Sequence, residues 1–256
     1  MRIAICFSGQ PRFIDECYPG IKTNIIDANS EHDIDIFVHT WFSPEMSGKV
    51  LYHNLFSSFS GDAKIMEDSI ERIRELYKPV KLLVDEPKSF KTDVNYEGGF
   101  NTQIKVCEEM SMQKDEFIAM RLNNIYSSLY SIMRSNLLKK ENELSNGFTY
   151  DLVLKMRFDN IITSPIKLSD YDPELLYHQE MNNAEFEIAD WINFSNSKNM
   201  DSYSSVFNTI ENLAERCNEK YGRFSAESLL REACVRDNIK TKAIPLNTGL
   251  PRWGKI

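Results

Sequence analysis

The chain has 256 residues, of which 42% are hydrophobic and 27% charged, and its formal net charge is −8 at pH 7. The length suits one large α/β domain or one domain with an appended lobe, and the composition is that of an ordinary globular protein. The negative charge argues against a protein whose main partner is nucleic acid or an anionic membrane, since both require a basic face.

Cysteine usage and hydropathy predict a cytoplasmic protein. The five cysteines form no CxxC pair and no metal-ligand spacing, which predicts buried free thiols in a reducing compartment. They are Cys6, Cys17, Cys107, Cys217 and Cys234. The N-terminal residues lack the features of a signal peptide, and no apolar run approaches the roughly 20 residues that a transmembrane segment needs.

Strand and helix patterns alternate through the first 160 residues. Strands are predicted at Ile3–Ser8, Asp33–Trp41, Val80–Val84 and Tyr150–Met156. Helices are predicted over Phe13–Ala28 with an interruption at Pro19-Gly20, over Ile65–Tyr77, and from Ile118 to Asn146-Gly147. Residues 88–112 show little periodicity and are expected to form a lid, a binding loop or a disordered segment. This order predicts an α/β fold with a mostly parallel central sheet flanked by helices.

The C-terminal part has a more mixed pattern. Strands are predicted at Leu175–His178, Glu187–Phe194 and Thr241–Ile244, and helices over Asp201–Cys217 and from Ser225 onward. His178 is expected to lie at the surface. No internal repeat or low-complexity segment is present. We therefore predict a single domain over residues 1–256.

Two polar motifs follow predicted strands. Ser8-Gly9-Gln10-Pro11-Arg12 comes after the first strand, where glycine allows close backbone approach to a ligand and the arginine offers a fork for phosphate. Arg157 and Asp159 follow the strand Tyr150–Met156, where one carboxylate can hold a hydrated divalent cation. The alternatives are a plain strand-to-helix turn for the first motif and a structural ion pair for the second. Neither a dinucleotide fingerprint nor a P-loop is present.

The two motifs resemble a group of bacterial and viral glycosyltransferases with the GT-A fold. The similarity lies in Ile3–Arg12 and Tyr150–Asp159, and in the later order of Asp190-Trp191, Ser195-Asn196-Ser197, Met200, Tyr203 and Glu227. It implies a nucleotide-sandwich fold in which residues 1–160 form the nucleotide-binding half and residues 161–256 the acceptor-side half. It also implies that the loop after the first strand meets the nucleotide, and that Arg157-Phe158-Asp159 stands in for the usual Asp-x-Asp motif.

The sequence departs from that family at the metal site. Arg157 replaces the first aspartate, and no histidine follows His178, although many metal-dependent members use a late histidine. Mg²⁺ or Mn²⁺ held by Asp159 is one expectation. The other is that Arg157, Arg252 and Lys255 neutralise the leaving diphosphate in place of a cation.

An inverting transferase also needs a general base, for which Asp190 and Glu227 are the candidates. Their alternative roles are a turn or cap carboxylate for Asp190 and helix-dipole stabilisation for Glu227. Trp41 is expected to pack at the rim of the site or to stack on a base or sugar.

The expected function is transfer of a sugar from a nucleoside-diphosphate sugar to a glycan or other acceptor hydroxyl, as in surface polysaccharide synthesis. One alternative is a catalytically inactive module that binds nucleotide or glycan. A third possibility is a sugar nucleotidyltransferase, although that class carries a longer glycine-rich loop after its first strand than Gly9–Arg12 provides.

Overall fold

The computed structural model describes residues 1–48, 65–92, 113–181, 186–222 and 225–249. The strands are β1 (Arg2–Gly9), β2 (Asp33–Trp41), β3 (Lys81–Asp85), β4 (Leu152–Met156), β5 (Ile161–Ile162), β6 (Leu176–Gln179), β7 (Ile192–Ser195), β8 (Thr241–Ile244) and β9 (Thr248–Gly249). The helices are α1 (Ile14–Ile21), α2 (Ser69–Tyr77), α3 (Lys114–Asn146), α4 (Ser197–Ser204), α5 (Ile210–Tyr221) and α6 (Ala226–Arg236).

Seven strands form one sheet in the order β3-β2-β1-β4-β7-β6-β8, and β5 pairs with β9 in a separate two-stranded sheet. The pairs β3–β2, β2–β1, β1–β4 and β6–β8 are parallel, whereas β7 is antiparallel to both β4 and β6. The prediction of an α/β fold with a mostly parallel central sheet flanked by helices is confirmed.

The strand directions bring distant parts of the chain to one edge of the sheet. Because β1, β2, β3 and β4 run in the same direction, the residues that follow them emerge together. The start of the reversed strand β7 lies at the same edge, since Ile192 pairs with Met156 at the end of β4. The edge therefore combines the loop after Gly9, the segment from Arg157, and Asp190.

Side-chain alternation along β1 divides the core between the two faces of the sheet. Ala4 and Cys6 pack on the face covered by α3, together with Leu129 and Ile132 of that helix. Ile3, Ile5 and Phe7 belong to the opposite cluster, which includes side chains of α1 and β4. Both faces of the central strands are buried, as expected for parallel strands covered by helices.

Pro19-Gly20 does not interrupt the first helix as predicted. Pro19 lies inside α1, and the chain changes to a π-helix only at Lys22–Ile26. The missing proline N–H removes one helical hydrogen bond, while Cys17 and Ile21 stay buried in the core. Gly20 has a packing role, because a Cβ there would lie 2.7 Å from the carbonyl oxygen of Ile162.

The helix predicted over Asp201–Cys217 is two helices. It begins earlier, at Ser197, because the Asn196 side chain accepts a hydrogen bond from the backbone of Asn199 and caps α4. A 3-10 segment, Ser205–Thr209, then separates α4 from α5. The hydroxyl groups of Ser205 and Thr209 donate to nearby backbone carbonyls, which favours such a local departure from the α-helix.

The structure differs from two further sequence predictions. The strand predicted over Glu187–Phe194 is shorter and begins at Ile192. His178 is buried rather than exposed, because β6 pairs with β7 on one side and β8 on the other.

The prediction of buried free thiols is confirmed for four cysteines, Cys6, Cys17, Cys217 and Cys234. Cys107 lies outside the described residues. None of the helices in the described ranges combines the length and apolar character that a bilayer crossing requires.

Candidate functional site

A cavity of about 240 Å³ opens at the sheet edge where the predicted motifs meet. Its walls come from the loop after β1, the end of β2, one side of α3, the end of β4, the residue Asp190 before β7 and the start of α6. The lining residues are Ser8, Gly9, Gln10, Arg12, Trp41, Arg121, Asn124, Ile125, Ser127, Ser128, Lys155, Arg157, Asp159, Asp190, Ala226 and Glu227. Every predicted site residue in the described ranges is among them, and Arg252 and Lys255 lie outside those ranges.

Hydrogen bonds of the Gly9 backbone hold the start of the loop after β1 in place. Gly9 has φ 110°, a conformation that other residues rarely adopt. Its N–H donates to Ser131 Oγ at 2.7 Å, and its carbonyl accepts from Thr40 Oγ1 at 2.9 Å. Ser131 Oγ also lies 2.7 Å from Nδ1 of the buried His39. The N–H of Gly9 therefore serves the scaffold, while Ser8 and Gln10 line the cavity beside it.

Asp159 lies between two arginines. Arg157 Nε and Nη2 donate to its two carboxylate oxygens at 2.8 and 2.7 Å, and Arg12 Nη2 donates to Oδ2 at 2.8 Å. Burial alone would lower the pKa of Arg157, but the charges of Asp159 and Asp190 raise it above its ordinary value. The motif is thus a buried cluster of two cations around one carboxylate.

Asp190 extends this cluster toward β7. Its Oδ2 lies 3.5 Å from Arg157 Nη1 and accepts from Ser128 Oγ at 3.5 Å. Its backbone carbonyl accepts a hydrogen bond from Lys155, whose side chain is 1% exposed. Burial lowers the pKa of Lys155 to about 8, against the opposing effect of the Asp190 charge.

Glu227 lies in the first turn of α6, two residues after Ser225, which caps the helix as predicted. The Ser225 hydroxyl accepts from the backbone of Ser228, and the Ser228 hydroxyl accepts in return from the backbone of Ser225. Burial, together with the neighbouring charge of Asp190, raises the pKa of Glu227 above its ordinary value. The protonated form of Glu227 therefore persists to a higher pH than that of an ordinary glutamate.

One wall of the cavity was not anticipated. Arg121, Asn124 and Ser128 of α3 line it, at spacings of three and four residues that place them on one face of the helix. The only signal in the sequence was the polar face of an amphipathic helix, which is also the normal appearance of a solvated face. Trp41 packs here as the rim aromatic that was predicted. It is buried, donates from Nε1 to the carbonyl of Ser127 at 3.3 Å, and stacks on Tyr130.

The described residues of the cavity do not provide the set of ligands that a divalent cation normally takes. Mg²⁺ and Ca²⁺ are bound by about six or more oxygen atoms, several of them from carboxylates. Both oxygens of Asp159 already accept hydrogen bonds from guanidinium groups. Within the described ranges, no three His, Cys, Asp or Glu residues come together as a possible metal site.

No protein-family model matches the chain, and no curated protein is significantly similar to it. The described part of the lining contains four cations, Arg12, Arg121, Lys155 and Arg157, and three carboxylates, Asp159, Asp190 and Glu227. A cavity with more cations than carboxylates, in a chain of net charge −8, favours an anionic ligand.

Proposed function

We propose that the protein is a glycosyltransferase that moves a sugar from a nucleoside-diphosphate sugar to a hydroxyl group of a glycan or other acceptor. The observation that carries the proposal is the cation-rich cavity at the carboxyl ends of β1 and β4. In open α/β sheets, ligands bind outside the carboxyl ends of the strands. A diphosphate is the anion that this position and charge fit best.

The strand arrangement supports the same proposal. A parallel group, β3-β2-β1-β4, is followed by the reversed strand β7 and then by β6 and β8. This arrangement is compatible with the GT-A nucleotide-sandwich fold that the sequence resembles. The cavity takes residues from both halves of the chain, with Arg12 and Asp159 from the proposed nucleotide-binding half and Asp190 and Glu227 from the proposed acceptor-side half.

In this proposal, Arg12, Arg157 and Lys155 stabilise the diphosphate as its negative charge develops. Asp159 holds the two guanidinium groups in place, so that they need little rearrangement when the bond breaks. Preorganised charges of this kind are a large source of transition-state stabilisation. The residues of the cavity thus perform the neutralisation for which other transferases use a cation.

Glu227 is the proposed general base and Asp190 a positioning residue. The Glu227 carboxylate accepts the proton of the acceptor hydroxyl as that oxygen attacks the anomeric carbon. The bond between that carbon and the diphosphate oxygen breaks, and its electron pair leaves with the nucleoside diphosphate. The Asp190 charge is held by Arg157, which leaves Glu227 as the group that takes up and releases the proton.

The proposal is tested by incubating the protein with a panel of UDP-, GDP-, dTDP- and CMP-sugars and measuring release of the nucleotide. We expect turnover of at least one donor and a large loss in Asp159→Ala. The matched control is Asp27→Ala, since Asp27 pairs with the exposed Lys22 and neither residue lines the cavity. Binding without turnover would indicate an inactive nucleotide-binding module, and the absence of both binding and turnover across the panel would overturn the proposal.

A further inference from the structure

Arg121 differs from the other cations of the cavity in its partners. Arg12 and Arg157 bind Asp159, and Lys155 donates to the backbone carbonyl of Asp190. Arg121 has no ion pair within the described part of the chain. Its guanidinium group therefore offers the cavity a charge that the described carboxylates do not already bind.

Arg121 shares a face of α3 with Ser128, whose hydroxyl donates to Asp190 at 3.5 Å. Arg12 binds Asp159, Asp159 binds Arg157, and Arg157 approaches Asp190. Asp190 in turn raises the pKa of Glu227, whereas the charge of Arg121 lowers it. The charge of Arg121 thus acts on the proposed catalytic base, and both residues line the same cavity.

The immediate surroundings of Arg121 suit a polar group of a ligand. Its Nε is buried without a hydrogen-bond partner among the described residues. A buried donor without a partner is costly, so a ligand that accepts from it gains affinity. Asn124 and Ser128, on the same helix face, offer an amide and a hydroxyl group of the kind that bind sugar hydroxyls.

We propose that Arg121 binds a sugar carboxylate, so that the substrate of this site contains a hexuronic acid. The inference rests on the proposed glycosyltransferase function and specifies its substrate class. A guanidinium group matches a carboxylate through two parallel hydrogen bonds. A dianionic phosphate fits less well, because Asp190 and Glu227 repel a second negative charge at this end of the cavity. The uronic acid belongs either to the donor sugar or to the acceptor.

Calorimetric titration with pairs of uronate and neutral ligands tests the inference. It also shows whether the uronic acid belongs to the donor sugar or to the acceptor. The donor arm compares UDP-glucuronate with UDP-glucose and GDP-mannuronate with GDP-mannose. The acceptor arm compares methyl glucuronoside with methyl glucoside in the presence of UDP or GDP. In at least one arm, we expect the uronate to bind at least about tenfold tighter than its neutral partner.

Substitutions of Arg121 test whether this residue is responsible for the preference for the uronate. Arg121→Gln should abolish the preference for the uronate, and Arg121→Lys, which keeps the charge but loses the fork, should retain part of it. The control is Arg134→Gln on the same helix. The Nε of Arg134 is also buried without a partner among the described residues, but its guanidinium lies over the Tyr130 ring and does not line the cavity. Circular dichroism of each variant confirms that it is folded.

Failure of the uronate inference can be distinguished from failure of the proposed glycosyltransferase function. Equal binding of uronate and neutral ligands in both arms, or a preference that survives in folded Arg121→Gln, overturns the inference and leaves the proposed function standing. A protein that neither binds nor turns over any donor of the UDP-, GDP-, dTDP- and CMP-sugar panel overturns both.

Discussion

Arg157 binds Asp159, two residues further along the chain, through two hydrogen bonds of 2.8 and 2.7 Å. The same carboxylate accepts from Arg12, which lies 147 residues away in the sequence. Asp159 is therefore the point at which the loop after β1 and the end of β4 are joined. Its principal role in this arrangement is to hold two cations at the cavity wall.

Replacing Asp159 by Asn should destabilise the fold. Removing one partner of a buried ion pair typically costs about 3–5 kcal/mol, because the other partner is left buried and unpaired. Arg12 and Arg157 would both lose their nearest counter-charge, so we expect a loss of about 3 kcal/mol in the free energy of unfolding measured in urea. Asp27→Asn breaks only an exposed pair and should leave that value nearly unchanged. Equal stability of the two variants would contradict the structural role of Asp159.

Ser131 should be needed to hold Gly9 and His39. Ser131→Ala leaves the Gly9 N–H and the buried His39 Nδ1 without this partner, which should lower the free energy of unfolding by about 1–3 kcal/mol. Ser135→Ala, one turn further along α3, removes only a local bond to the carbonyl of Ile132 and should cost less. If both variants unfold at the same urea concentration, Ser131 does not fix the loop.

The pH dependence of turnover should follow Glu227. Because its pKa is raised in the folded protein, the protonated form, which cannot act as a base, persists above the usual glutamate value of about 4.3. We expect kcat/KM, which reports the ionisation of the free enzyme, to rise with pH through this raised pKa. Glu227→Gln should lower kcat by roughly 10²–10⁴-fold and remove this rise, while donor affinity changes little. The exposed Glu219→Gln should keep the wild-type profile, and a Glu227→Gln variant that also keeps it would rule out the assignment.

Metal removal should leave donor binding intact. The guanidinium groups of Arg12 and Arg157 already supply positive charge around Asp159, so a protein-held ion is not required for the diphosphate. Donor affinity is measured after EDTA treatment and again with added Mg²⁺ or Mn²⁺. A donor affinity that EDTA abolishes and Mn²⁺ restores would instead identify Asp159 as a metal ligand.

The sequence predicted which residues of the candidate site meet at one edge of the sheet, but it did not predict the ion pairs between them. Parallel strands present their carboxyl ends at one edge, so strands ending near Gly9 and Met156 were enough to bring Arg12 and Asp159 to the same place. The hydrogen bonds between those two residues depend on rotamers and on the loop backbone, which a one-dimensional pattern does not encode.

Residues on α3 and β6 show a second limit. The same helical spacing describes a solvated face and a cavity wall, so Arg121 and Ser128 could not be distinguished from ordinary surface residues. His178 follows a short apolar run whose place in the sheet depends on pairing with β7 and β8, which is decided by residues far along the chain. Tertiary neighbours, rather than local propensity, determine both outcomes.

The most direct test of the central claim is calorimetric titration of the wild-type protein and Arg157→Gln with the nucleoside diphosphates UDP, GDP and dTDP. The account predicts that wild type binds at least one of these nucleotides, and that Arg157→Gln binds it at least about tenfold more weakly, because charge-assisted hydrogen bonds contribute about 1.5–3 kcal/mol. Arg134→Gln should bind as wild type does. Equal affinity of folded Arg157→Gln and wild type, or no binding of any nucleotide by wild type, would contradict the claim that this cavity receives a sugar-nucleotide diphosphate.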